Sequence, residues 1–423
     1  MEYTAEIFDQ LQWLYGRNGF NDHQIHGVLG FERPLDSEIL KRAVVASIQA
    51  IPILGTRYID GANPRWTSLD PVDYERAFVI ALTQAEFEAF VVAKVDERIG
   101  PQIQVCALNA DRHAVAFKLN HMICDAAGFK QYLELLARIY TGLATGANYQ
   151  PPTIAGDRSP DAILDTFGWA VKLKSLFAQS QDSDWTGKQK FPLSDDGEAR
   201  PYVVAHRLDR AKVGALKNYC RSKGATVNDA LLTAMYRVLF RTLALKSGDT
   251  LQIPIMVDMR RYVSGNAQFE SLTNLTSMVC TQLDYRPIES FGDTLARATA
   301  VMLDKKSDVF GLNGWVKLKL VFAALGNRTA NRLLRSRLKQ PFICMTNIGT
   351  LESERMYFSG ARPNDVYLCG SIKYRPYFQL AVSTYNGETT LTVNQYCVGA
   401  DRQRVVAFLD DVGAELPGDS GDR

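Results

Sequence analysis

The chain has 423 residues, 46% of them apolar, and a formal net charge of +2. That length allows two domains or one large pseudo-symmetric fold with a sizeable core. The balance of charge excludes nucleic acid as the main partner, and no apolar run is long enough to span a bilayer.

The first residues, Met1-Glu2-Tyr3-Thr4-Ala5-Glu6, lack a secretory pattern, which predicts a cytoplasmic protein. Seven cysteines lie scattered, mostly in apolar runs, and form no C-x-x-C pair. This is the pattern of reduced core thiols. His23 and His26 are close together but have no cysteine or acidic pair at ligand spacing, so no metal site is predicted.

In chain order, residues 8–15 have the spacing of a short helix and 25–31 read as a strand. Asp36 caps a helix running to about residue 50, with Glu38 in its first turn. A strand at 65–69 and a helix at 84–93 follow. Residues 101–108 alternate as a strand and pair with 114–121 through a turn at 109–112. In that second strand Val115, Phe117, Leu119 and His121 share one face, and Ala116, Lys118 and Asn120 share the other. Phe129, Tyr132, Leu133, Leu136 and Tyr140 then predict a helix over 128–142. His121 therefore ends a strand and Asp125 starts a helix. Taken alone, the histidine is a core residue and the aspartate an N-cap. A strand-to-helix corner is also a place where an imidazole leaves the core to face a channel. Cys124, between them, reads as packing rather than as a nucleophile.

Beyond residue 142 the composition shifts. Residues 149–152 and 179–201 are rich in Asp, Ser, Gly, Gln and Pro, with a helical piece at 162–177 between them. This places an N-terminal lobe at 1–185, a linker at 186–200 and a C-terminal lobe at 201–423. The second lobe opens with a strand at 202–208 and a helix at 211–222. Thr226 or Asn228 then caps a strong helix. Ile253-Pro254-Ile255-Met256-Val257-Asp258-Met259-Arg260-Arg261 reads as a strand. The strand at 342–345 runs into Thr346-Asn347-Ile348-Gly349, which by itself is a turn. Strands at 378–385 and 389–396 are joined by Asn386-Gly387, a strong hairpin signal. The tail from Leu416 reads as disordered. Residues 301–340 hold nine basic side chains against two acidic ones, Arg332, Arg335 and Arg337 among them. Helices with solvated basic faces are the plain account of that stretch.

Four strings together resemble the condensation-domain and CoA-dependent acyltransferase superfamily. Asn120-His121 with Asp125 is similar to its His-His-x-x-x-Asp-Gly signature, with Asn120 for the first histidine and Ala126 for the glycine. Thr226-Val227-Asn228-Asp229-Ala230-Leu231-Leu232, the strand ending in Asp258-Met259-Arg260, and Thr346-Asn347-Ile348-Gly349 match in the family's order over nearly the whole chain. The resemblance implies an α/β (α+β) fold, two chloramphenicol acetyltransferase-like lobes with mixed sheets and a tunnel between them. It implies a stand-alone, monomeric acyltransferase of natural product or lipid biosynthesis. The acyl group would move from a CoA or acyl carrier protein thioester to the hydroxyl or amine of a small-molecule acceptor.

In that reading His121 is the general base and no acyl-enzyme forms, consistent with the lack of a Gly-x-Ser-x-Gly elbow. Asp125 is structural and pairs with Arg260, with Arg261 as the runner-up. Asn120, Thr346 and Asn347 are candidates for the oxyanion or substrate. Arg332, Arg335 and Arg337 contact the donor phosphates or the carrier, and peripheral contact with an anionic membrane is the other account of them. No cofactor is held; acyl-CoA or acyl-phosphopantetheine is a co-substrate. The Asp-Phe-Gly-Trp-Gly string of plant-type CoA acyltransferases is missing. Asn120 and Ala126 leave a second reading, a non-catalytic module that recruits a carrier protein.

Overall fold

A computed structural model describes residues 1–146, 149–177, 189–263, 271–307 and 311–418. The part of the expected linker at 186–188 and the part of the tail at 419–423 lie outside the described residues. In chain order the strands are β1 (Glu2–Thr4), β2 (Gln24–Phe31), β3 (Thr56–Ile59), β4 (Arg65–Ser68), β5 (Phe78–Ala81), β6 (Ile103–Asn109) and β7 (His113–Asn120). The second half adds β8 (Arg200–Leu208), β9 (Thr250–Asp258), β10 (Thr276–Asp284), β11 (Ile343–Leu351), β12 (Asp365–Cys369), β13 (Phe378–Tyr385) and β14 (Glu388–Cys397).

Two mixed sheets carry the fold. The first runs β12-β2-β7-β6-β5 and the second β10-β9-β11-β13-β14-β8; a small third sheet runs β1-β4-β3. In the first sheet β5 is parallel to β6, and in the second β11 is parallel to both β9 and β13. β7 is central and buried on both faces. Val115, Phe117 and Leu119 face the main core beneath the helices Ser37–Ala50 and Ala126–Thr145. Ala114 and Ala116 face a smaller cluster with Phe87 and Val91 of the helix Gln84–Val92. The second sheet packs under Val227–Thr242, Phe291–Ser307 and Gly399–Glu415.

The caps follow from the sequence. Asp36 accepts the Ile39 N–H at 2.9 Å, and Thr226, not Asn228, forms a capping box with Asp229. The expected helix at 162–177 is two short ones, Asp161–Leu164 and Trp169–Phe177, broken just before Gly168-Trp169. At Asn386-Gly387 both residues have positive φ, 49° and 82°, as a type I′ hairpin requires. The string at 346–349 is not a turn. β11 continues to Leu351, with a bulge between Asn347 and Gly349, whose φ is 83°.

The two halves are interlaced. After β11 the chain leaves the second sheet and adds β12 antiparallel to β2, pairing Asp365 with Gly30 and Cys369 with His26. It then returns as β13. Leu368 and Ile348 sit in the same core as Leu29 and Phe129. The stretch expected as the C-terminal lobe thus lends one strand to the sheet that carries His121.

Candidate active site

β7 ends at Asn120, and four residues separate His121 from the helix Ala126–Thr145. The imidazole leaves the sheet here and keeps exposed surface toward a cavity of about 810 Å³. Its Nδ1 lies 2.8 Å from the Cys124 carbonyl and 3.1 Å from Asn274 Oδ1. The orientation of the Asn274 amide is fixed, because its Nδ2 donates to the carbonyls of His121 and Met122, each at 2.8 Å. Both neighbours of Nδ1 are therefore acceptors, so Nδ1 carries the proton and Nε2 keeps its lone pair. Burial lowers the pKa below the usual 6.5, and Lys373 adds to the lowering against the pull of Asp125. The ring is neutral at pH 7, with one basic nitrogen.

Asp125 also borders the cavity, but its carboxylate is fully engaged. Oδ1 caps the helix through Gly128 N–H at 3.1 Å. Oδ2 accepts from Arg260 at 2.8 Å, Leu275 N–H at 2.7 Å and the Thr276 hydroxyl at 3.1 Å. Burial by itself would raise its pKa, but Arg260 and these donors hold it below the ordinary value. Of the two arginines offered by the sequence, Arg260 takes the role. After Asp258 the strand gives way to a short helical turn, Met259–Tyr262, which directs Arg260 inward and lays exposed Arg261 over the Tyr262 ring.

Two supports have no sequence signal. Asn274 lies in a polar connector before β10 with no periodicity of its own. Arg158 forms a two-pronged pair with buried Asp9, at 2.8 and 2.9 Å, and donates to the carbonyls of Ile123 and Leu272. It ties the His121 turn to the first helix and to the connector that carries Asn274.

The other expected residues divide. Thr346 lines the cavity, beside Ile348. Asn347 does not: strand alternation turns it to the opposite face, where it donates to Asn228 at 3.1 Å and accepts from Gly349 N–H. Asn120 does not line the cavity either. It is fully buried, donates to Gln102 at 2.7 Å and accepts from Met122 N–H at 2.9 Å, so it braces the turn. Cys124 is buried under the corner, and burial raises its thiol pKa well above the usual 9. Arg332, Arg335 and Arg337 are exposed on the helical span Leu312–Arg337, which breaks at Gly326 (φ 69°) and whose Leu334 lines the cavity.

No protein-family model matches the chain. Surfactin synthase subunit 1 of Bacillus subtilis (strain 168) is 27% identical over an alignment 235 residues long that covers 49% of this chain and 6% of that protein. Three solved structures align over almost the entire chain. The trichothecene 15-O-acetyltransferase of Fusarium sporotrichioides has a TM-score of 0.73 at 11% identity, covering 98% of this chain and 95% of its own. The first condensation domain of the CDA synthetase scores 0.68 at 14% identity over 99% and 98%. Polyketide synthase associated protein 5 from Mycobacterium tuberculosis scores 0.67 at 13% identity over 98% of each chain. At such identities the likeness is one of fold, and the chain has the two-lobed, chloramphenicol acetyltransferase-like fold of condensation domains.

Proposed function

We propose that the protein is a condensation-type acyltransferase, moving an acyl group from a CoA or carrier-protein thioester to a hydroxyl or amine. The observation that carries this reading is His121: a neutral imidazole whose single accepting nitrogen is presented to a cavity walled by both halves of the chain. Nε2 takes the proton of the acceptor as its oxygen or nitrogen attacks the thioester carbonyl. The tetrahedral oxyanion collapses, the carbon–sulfur bond breaks, and the imidazolium returns the proton to the leaving thiolate. The Nδ1–H bonds to Cys124 and Asn274 stabilise the imidazolium while it exists. Thr346 is the remaining candidate donor to the oxyanion, because its hydroxyl-bearing side chain lines the cavity. Arg332, Arg335 and Arg337, exposed beyond the cavity-lining Leu334, would meet phosphates or an acidic carrier outside it.

The names of the structural neighbours point the same way. One is an O-acetyltransferase and another a condensation domain. A module that only recruited a carrier would have no use for an oriented, neutral imidazole at the end of a cavity.

Product analysis by mass spectrometry tests this. A panel of acyl-CoA and acyl-carrier donors is offered with pooled alcohols and amines. A new ester or amide from the parent, missing with His121→Ala, is expected. No product across the panel, or equal product from the variant, contradicts the proposal.

A further inference from the structure

The cavity holds a lysine that the chemistry above leaves unused. Lys373 lies in the loop between β12 and β13, is 7% exposed, and lines the same cavity as His121. Its backbone is pinned: the N–H donates to Asn394 O at 3.0 Å, and the carbonyl accepts from Tyr396 N–H at 2.9 Å and Gln395 Nε2 at 3.0 Å. The position of the side chain is therefore built into the fold. Among the described residues its Nζ makes no hydrogen bond, ion pair or ring contact. The other buried lysine, Lys118, differs, because its ammonium sits 3.9 Å from the centre of the Phe90 ring.

A buried ammonium without a partner is costly, and such charges are normally paired. Two titratable groups of the chain besides His121 act on Lys373. Asp22 accepts at Oδ1 from Gln24 N–H at 3.2 Å and Ile372 N–H at 2.9 Å, its Oδ2 lies 3.3 Å from His26 Nε2 without a hydrogen bond, and it makes no ion pair with Lys373. Cys344 is a buried thiol held neutral by its surroundings. Cys344 supplies no charge, and Asp22 acts on Lys373 only from a distance, without an ion pair. Phe8, Tyr15, Ile25, Met256 and Trp315 line other parts of the cavity and would suit an apolar body.

We propose that Lys373 is the anchor for a carboxylate on the molecule that occupies the His121 cavity, so that the acceptor is an apolar hydroxy or amino acid with its carboxylate free. Calling that molecule the acceptor rests on the acyl-transfer proposal; the anion site itself does not.

Calorimetric titration of the full chain tests the site without any donor. Propanoate, octanoate and 3-phenylpropanoate are each compared with the corresponding amide, in the parent, Lys373→Met and Lys373→Arg. At least one acid should bind the parent about tenfold or more tighter than its amide, the worth of one hydrogen bond to a charged group. Lys373→Met should erase that preference and Lys373→Arg should restore part of it. Because no ion pair is broken, Lys373→Met should melt no lower than the parent. Equal binding of acid and amide, a preference that survives in Lys373→Met, or no binding of any of the three acids overturns the proposal. The two proposals separate cleanly. Acids that bind while no donor gives product would sink acyl transfer and leave the anion site. Equal turnover of 3-phenyllactate and its amide, unchanged in Lys373→Met, would do the reverse.

Discussion

In the proposed reaction His121 would act as base with two acceptors on its Nδ1 rather than a carboxylate partner, since Asp125 is committed to Arg260 and three other donors. General-base catalysis is worth about 10²–10⁴-fold, so His121→Ala should lose that much turnover while still folding. The pH dependence follows from the lowered pKa. The neutral ring is the active form, so kcat/KM should fall as pH drops through an ionisation below 6.5 and stay level from there to neutrality. A midpoint at or above 6.5 would contradict the buried setting. In the proposed mechanism Asn274 accepts from a nitrogen that would become part of a cation in the transition state. A hydrogen bond to a charged group contributes about 1.5–3 kcal/mol, so Asn274→Ala should lower kcat about ten- to a hundredfold and shift the apparent pKa further down. A loss in KM alone would make Asn274 a binding residue instead.

At the scale of the element, the corner is held by the Asp125–Arg260 pair, which joins the start of the helix Ala126–Thr145 to the end of β9. Removing one member of a buried pair strands the other, at a cost of about 3–5 kcal/mol. Asp125→Ala should therefore lower the melting temperature as well as activity, whereas exposed Arg261→Ala should leave both unchanged. If Asp125→Ala melts like the parent and loses only turnover, the carboxylate acts in the chemistry. The helix Leu312–Arg337 turns Leu334 to the cavity and Arg332, Arg335 and Arg337 to solvent. Charge reversal of the three arginines should raise KM for the donor more than it lowers kcat, most visibly at low salt where screening is weakest. An unchanged KM at low salt would leave only a solvated basic face.

Elements were also where the sequence was most legible. The alternation of Val115, Phe117 and Leu119 placed β7 and left His121 at its end, and Asp36 and Thr226 carried their caps with them. Local pattern failed where a side chain's direction depended on a neighbouring chain. Asn347 is polar and next to Thr346, but pairing with β13 extended the strand through it and turned it away. Asn120 was claimed by Gln102 and the turn it braces.

At the scale of the whole molecule, the cavity exists because two mixed sheets are joined by an exchanged strand, β12, and by contacts from the connector at 271–276 onto the His121 corner. The fold was legible through four strings in order along the chain. Asn274 and Arg158 were not, because each acts across 35 or more residues of sequence, and Lys373, in a loop between strands, has no periodic signature of its own. That dependence on assembly makes the order of the chemical steps the central question. The direct test is the intact mass of the protein during turnover with a donor that yields product. The account predicts product with no acyl adduct on the protein, product from Cys124→Ala, and almost none from His121→Ala. An acyl adduct on Cys124, with Cys124→Ala dead and His121→Ala active, would contradict it.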